Sequence, residues 1–111
     1  MFKVTTNNIE KNQIVYLSGP MTGLPDYNRE AFNLRAESFR AQGYIVNNPA
    51  EISVRHGTDK SYEFYLRRSL RMLLDSDVMY IFGDITESKG VETELEVAKK
   101  VGIRTIWEVR K

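Results

Sequence analysis

Two spacings of apolar residues alternate along this chain. Ile14-Val15-Tyr16-Leu17 is a short continuous apolar run that stops at Ser18-Gly19-Pro20, the signature of a buried strand entering a turn. From Asn28, a helix cap by residue type, Ala31, Phe32, Ala36 and Phe39 recur at helical spacing to about Gln42, and Gly43 ends the pattern. Tyr44-Ile45-Val46 predicts a second strand, followed by a polar loop through Lys60 with room to fold over a site. From Ser61 to about Asp75, the residues Tyr62, Tyr65, Leu66, Ser69, Leu70 and Leu73 mark the inward stripe of a second helix. Val78 to Phe82 is the most continuous apolar run and predicts a central strand buried on both faces. A third helix runs from about Gly90 to Val101, and Ile103 to Trp107 forms the last strand.

Strands that alternate with helices of this length imply a parallel sheet covered on both faces. The expectation is an α/β domain, flavodoxin-like or Rossmann-like, in three layers around a small parallel sheet of four or five strands. With 111 residues the chain has room for one core. We expect a polar lead-in over residues 1–12 and a single domain over 13–111. Open parallel sheets bind ligands beyond the carboxyl ends of their strands. Here those ends are Ser18 to Gly23, Asn47 to Glu51, Gly83 to Gly90, and the residues after Trp107. Gly, Pro, Ser and Asn gather in these loops, which suits both close approach to a small ligand and ordinary turn chemistry.

Composition narrows the chemistry. Sixteen Lys and Arg against fifteen Asp and Glu leave a net charge of +1, so no global field holds a phosphate backbone, and nucleic acid is not an expected partner. The chain has no Cys, and His56 is its one histidine; neither a metal site nor a cofactor is expected. No apolar run approaches the roughly 20 residues that span a bilayer, so no membrane partner is expected and the cytoplasm is the default location.

One residue breaks the helical pattern. Val91, Leu95 and Ala98 face inward on the third helix, while Glu92, Glu96, Lys99 and Lys100 reach solvent. Glu94 falls on the apolar side, three residues after Val91 and four before Ala98. An unpaired carboxylate there costs several kcal/mol, of which the helix dipole offsets roughly 0.3–1 kcal/mol and at most about 2. It is either a stripe-edge residue that snorkels or pairs with Lys or Arg, or a carboxylate aimed into a pocket as nucleophile or base. Ser88-Lys89-Gly90 precedes the same helix; taken alone it reads first as a helix cap, and alternatively as a one-phosphate anion site.

Three segments carry a resemblance: Tyr16-Leu-Ser-Gly-Pro-Met-Thr-Gly23, Asn48-Pro-Ala-Glu51 and Ser88-Lys-Gly-Val-Glu-Thr-Glu-Leu95. Together they resemble the nucleoside 2-deoxyribosyltransferase superfamily, in particular a functionally unassigned branch common in phages and prophages. A related and better-understood enzyme is the 2'-deoxynucleoside 5'-phosphate N-hydrolase. The resemblance spans nearly everything from Ile14 to Trp107. It implies that Glu94 attacks the anomeric carbon of a deoxyribose, as in a retaining glycosidase, and that Tyr16 positions the nucleophile or the sugar. It further implies that Ser18, Gly19, Met21 and Thr22 line the ligand loop, that Ser88 and Gly90 hold a 5'-phosphate, and that Asn48, Ser69 and Asp84 lie at the site. The hydrolase carries an Asp where this chain has Ser69, and Ser69 is not an acid at neutral pH. Asp84, Glu87 and Glu51 are the loop acids available to replace it.

Three functions follow as alternatives. The first is an enzyme that cleaves or exchanges the N-glycosidic bond of a deoxynucleoside or its 5'-monophosphate. The second is a non-catalytic protein that senses or sequesters a nucleotide, a reading that Ser69 favours. The third is an interaction module that dimerises through Tyr62, Phe64, Tyr65 or Trp107. The superfamily resemblance also implies a homo-oligomer whose neighbouring subunit completes the pocket.

Overall fold

Successive residues of a strand face opposite sides of a sheet, and in β1, Ile14–Ser18, this alternation organises the molecule. In the computed structural model, which describes residues 2–6 and 8–108, Val15 and Leu17 join a core cluster with Phe32, Ala36 and Phe39 of α1, Arg29–Ala41. Tyr16 belongs to the opposite cluster. That cluster is completed by Leu73 of α3, Tyr62–Leu74, and by Val91 and Ala98 of α4, Lys89–Val101. The next central strand, β3, Val78–Ile81, divides likewise: Val78 and Tyr80 pack toward α1, Met79 and Ile81 toward α3 and α4. Both strands are buried on both faces, as the apolar run at Val78 predicts.

β2, Ile45–Asn47, and β4, Arg104–Trp107, complete a four-stranded parallel sheet in the order β2-β1-β3-β4. This is the α/β three-layer fold of flavodoxin-like type, with four strands rather than five. The chain moves one way from β1 to β2 and the other way to β3, so the order reverses between β1 and β3. The carboxyl ends of those two strands therefore flank the crevice where such sheets bind ligands. Among the described residues, no helix is long and apolar enough to cross a membrane.

The structure differs from the expectations at four places. The polar stretch after β2 is not all loop. A 3-10 turn at Pro49–Glu51 leads into a short helix, α2, Ile52–His56, and buried Ala50 and Ile52 seat it. Five residues are too few for a helical period to register in sequence. Asn28 does not cap α1: it stands in the left-handed region at φ 59° with no capping side-chain bond, and its Nδ2 donates to the Pro20 carbonyl at 2.9 Å. Tyr62, placed on the inward stripe of α3, is 44% exposed, because the first turn of the helix overhangs the cleft rather than the core. Finally, the polar lead-in docks on the domain. Val4 and Ile9 enter the α1-side core, and the Thr5 amide donates to the Tyr80 hydroxyl at 3.1 Å. The strand-end loop expected after Trp107 is described only to Glu108; residues 109–111 lie outside the described part of the chain.

Candidate active site

Tyr16 and Ser18 project from the last residues of β1 onto the face covered by α4, two apart and hence on the same side. One turn into α4, Glu94 comes down to meet them. Its Oε1 accepts from Ser18 Oγ at 2.6 Å, and its Oε2 accepts a short hydrogen bond from the Tyr16 hydroxyl. Glu94 is 6% exposed, and among the described residues its carboxylate has no ion pair. Of the two sequence readings of this residue, the structure therefore removes snorkelling and Lys or Arg pairing.

Two hydrogen bonds to a charged acceptor contribute about 1.5–3 kcal/mol each, against a desolvation cost of several kcal/mol. The balance falls on the side of burial. It pushes the Glu94 carboxyl above the usual carboxylate range, although the hydroxyls of Ser18, Tyr16 and Ser69 pull it down. Burial and the adjacent Glu94 charge push the Tyr16 phenol well above its ordinary value, so Tyr16 stays protonated and acts as a donor. Ser69 is buried on α3 beside this pair. Its hydroxyl donates to the Leu66 carbonyl at 3.0 Å and favours the ionised forms of both Glu94 and Tyr16.

These residues form the floor of an open cleft of about 1420 Å³ at the reversal of strand order. Tyr16, Ser18, Gly19, Met21, Thr22, Ser69, Asp84, Ser88, Gly90 and Glu94 all line it, so the structure brings together ten of the eleven residues singled out in sequence. The eleventh, Asn48, is not part of the wall. It is wholly buried, its Oδ1 accepts from the Ala50 amide at 3.0 Å, and its Nδ2 donates to Asn33 Oδ1 at 3.0 Å. Its polar atoms are spent on the turn into α2, which presents Pro49, Ile52 and Ser53 to the cleft. Glu51 also lies away from the cleft, paired with Arg40 at 2.8 Å.

The loops over the floor have local causes. A Cβ at position 19 would lie 2.7 Å from the Phe82 ring, which itself packs edge-on against Phe32 at 4.8 Å. Glycine lets the loop after β1 lie directly on that ring. Ser88 caps α4, its Oγ accepting from the Val91 amide at 3.3 Å. The cap reading is thus correct, and in this bond the hydroxyl serves only as acceptor. Asp84 Oδ1 accepts from both the amide and the hydroxyl of Thr86, at 3.1 and 2.5 Å.

Among the cleft residues that the sequence did not assign to the site are Tyr62 and Arg35. A Cβ at position 90 would stand 3.8 Å from the Tyr62 hydroxyl, which places that phenol over the start of α4. Desolvation, then Glu94 and Glu63, push it upward. Arg35 also lines the cleft, but its guanidinium donates to Glu108 at 2.8 and 2.9 Å and lies between the Phe2 and Phe82 rings. Glu108 accepts in addition from Tyr80 at 2.8 Å, whose phenol is pushed up to about 12, mainly by burial. This network shapes the wall and leaves Arg35 committed.

No curated protein matches this chain. A family model described as a domain of unknown function, DUF4406, matches residues 13–107, and the chain belongs to that family.

Proposed function

We propose that this cleft cleaves or exchanges the N-glycosidic bond of a deoxynucleoside or deoxynucleoside 5'-monophosphate, with Glu94 as the nucleophile. The observation that carries the reading is a buried carboxylate without a cation, held by two hydroxyls at the floor of an open cleft. A structural role would be served as well by an apolar side chain at lower cost. The sequence resemblance to the nucleoside 2-deoxyribosyltransferase superfamily supports the same assignment.

In this reading a Glu94 oxygen attacks the anomeric carbon as the glycosidic C–N bond breaks, and the bonding pair departs with the base. A glycosyl-enzyme ester results. Water then attacks the same carbon to give free sugar, or a second base attacks to give exchange, and Glu94 leaves as a carboxylate. Tyr16 and Ser18 fix the two carboxylate oxygens and leave each a free lone pair. Gly19, Met21 and Thr22 line the ligand loop and Asp84 the facing loop. Ser88 and the amides at the start of α4, including Gly90, suit a 5'-phosphate.

A second reading is a binding protein without turnover, and Ser69 favours it, because a hydroxyl stands where an acid would assist the departing base. Chromatography of free base from a panel of deoxynucleosides and 5'-monophosphates, with wild type and Glu94→Ala in parallel, separates the two. Release that disappears with Glu94→Ala is the expected outcome. Saturable binding of one nucleotide without release would support the second reading instead.

A further inference from the structure

We infer that the departing group leaves without a proton from the protein, so the site selects glycosides whose leaving group is stable as an anion. This rests on the proposed role of Glu94 and names the substrate class of the same site. Among the described residues, the side chains gathered at the Glu94 carboxylate are Tyr16, Ser18 and Ser69, with the Tyr62 phenol over the start of α4, and all four are hydroxyl groups. Tyr16 and Ser18 have their protons directed at Glu94, and Ser69 has its own directed at the Leu66 carbonyl. A serine hydroxyl is no acid at neutral pH, and burial, then the Glu94 charge, make the Tyr16 and Tyr62 phenols weaker acids than a free phenol. The charged groups on the cleft wall that could donate or take a proton, Lys60, Glu63, Asp84, Glu87 and Lys89, are all exposed to solvent. Asp84 is engaged as an acceptor of the Thr86 amide and hydroxyl.

A floor of this kind holds a nucleophile and, among the described residues, offers no second buried carboxyl group or imidazole to protonate a leaving nitrogen. The balance of the step follows directly. The Glu94 oxygen forms its bond to the anomeric carbon, the glycosidic bond breaks, and the departing base takes the pair as an anion. It is protonated afterwards by solvent, which also receives the proton of the water that resolves the ester. Bases whose departing ring nitrogen best holds a negative charge fit this requirement, and cytosine, whose anion is the least stable among the common bases, fits it worst. A positioned general acid gives assistance on the order of 100- to 10,000-fold; its absence slows poor leaving groups and leaves good ones little affected.

The test compares 4-nitrophenyl 2-deoxyribofuranoside and its 5'-phosphate with ordinary deoxynucleosides and 5'-monophosphates graded by the acidity of the departing base. The proteins are wild type, Glu94→Gln, Ser69→Asp and Asp84→Asn. In wild type, kcat/KM should rise steeply with leaving-group acidity, with the nitrophenyl compounds ahead of deoxyadenosine by at least about 100-fold. Its pH profile should climb through the ionisation of Glu94 and show no falling alkaline limb. Ser69→Asp should raise release from deoxyadenosine by about tenfold or more and add such a limb. Should that variant not fold, the leaving-group series on wild type decides alone. Equal rates on nitrophenyl and adenine compounds, or an alkaline limb in wild type that Asp84→Asn removes, would overturn this inference and leave Glu94 as nucleophile. No cleavage of any compound, or cleavage that survives Glu94→Gln, would overturn the glycosidic reading itself.

Discussion

The two faces of β1 are built from neighbouring residues and could hardly differ more. On the α1 side, Val15 and Leu17 meet Phe32, Phe39 and Phe82, an apolar layer joined by edge-on aromatic pairs such as Phe39 with Tyr80 at 4.9 Å. On the α4 side, Tyr16 and Ser18 meet a buried carboxylate. The first face gains from every atom it removes from water. The second loses by burying Glu94 and recovers only part of the loss through hydroxyl donors. One strand therefore separates stabilisation from chemistry by a rotation of one residue, and that division locates the site more sharply than any single motif.

Substitutions on the apolar face should have the largest effect on folding. Phe39→Ala removes a wholly buried ring and should cost about 3–5 kcal/mol in urea unfolding, lowering the midpoint with little change in slope. Gly19→Ala strikes the line between the two faces. Its Cβ would press on Phe82 at 2.7 Å, so we expect a loss of roughly 1–3 kcal/mol together with weaker ligand binding, measured by unfolding and titration of the same sample. An unchanged affinity would show that the aromatic face does not set the ligand loop. The smallest effect, and one of opposite sign, is expected from Glu94→Gln, which should stabilise the fold at neutral pH.

The pH dependence of that gain follows from the raised carboxyl. Between its ordinary 4.5 and the higher folded value, the native state holds a proton that the unfolded chain has lost. Wild-type stability therefore declines as pH rises through that window. Glu94→Gln lacks the decline, so its advantage should be absent well below pH 4.5, grow across the window, and stay constant above it. Thermal unfolding of both proteins across pH measures this, and a gain independent of pH would mean that the charge of Glu94 is not what burial penalises. Glycosidic turnover, should it follow the same ionisation, rises over the same window.

Much of this was legible in sequence because period and chemistry disagreed at one place. A carboxylate on an apolar stripe is visible in a helix of three turns, and Tyr16 and Ser18 end a run that could only be a strand. Other features carried no such signal. Five residues of α2 are too short for a repeat, and Val4 and Ile9 are isolated apolar residues without a period, so their burial is set by tertiary packing alone. Asn48 resembled a ligand residue because caps and ligand contacts use the same amide chemistry. Asn28 has a capping side chain, but the preceding Asp26 and Tyr27 are also left-handed, and that turn directs its amide to Pro20 instead. Tyr62 has the correct helical phase and the wrong height: phase selects a side of α3, while the opening of the cleft depends on where α4 begins.

The bonds from Tyr16 and Ser18 to Glu94 join residues 78 and 76 positions apart. Such long loops close late and slowly, since their ordering entropy must be met before distant contacts reward it. The first β-α-β unit supplies the donors and the last supplies the acceptor, and neither half positions the Glu94 carboxylate on its own. Assembly of the Glu94 floor is thus a report on completed folding: a chain still on its way to the native state carries its carboxylate in water, unaimed and without its two hydroxyl donors.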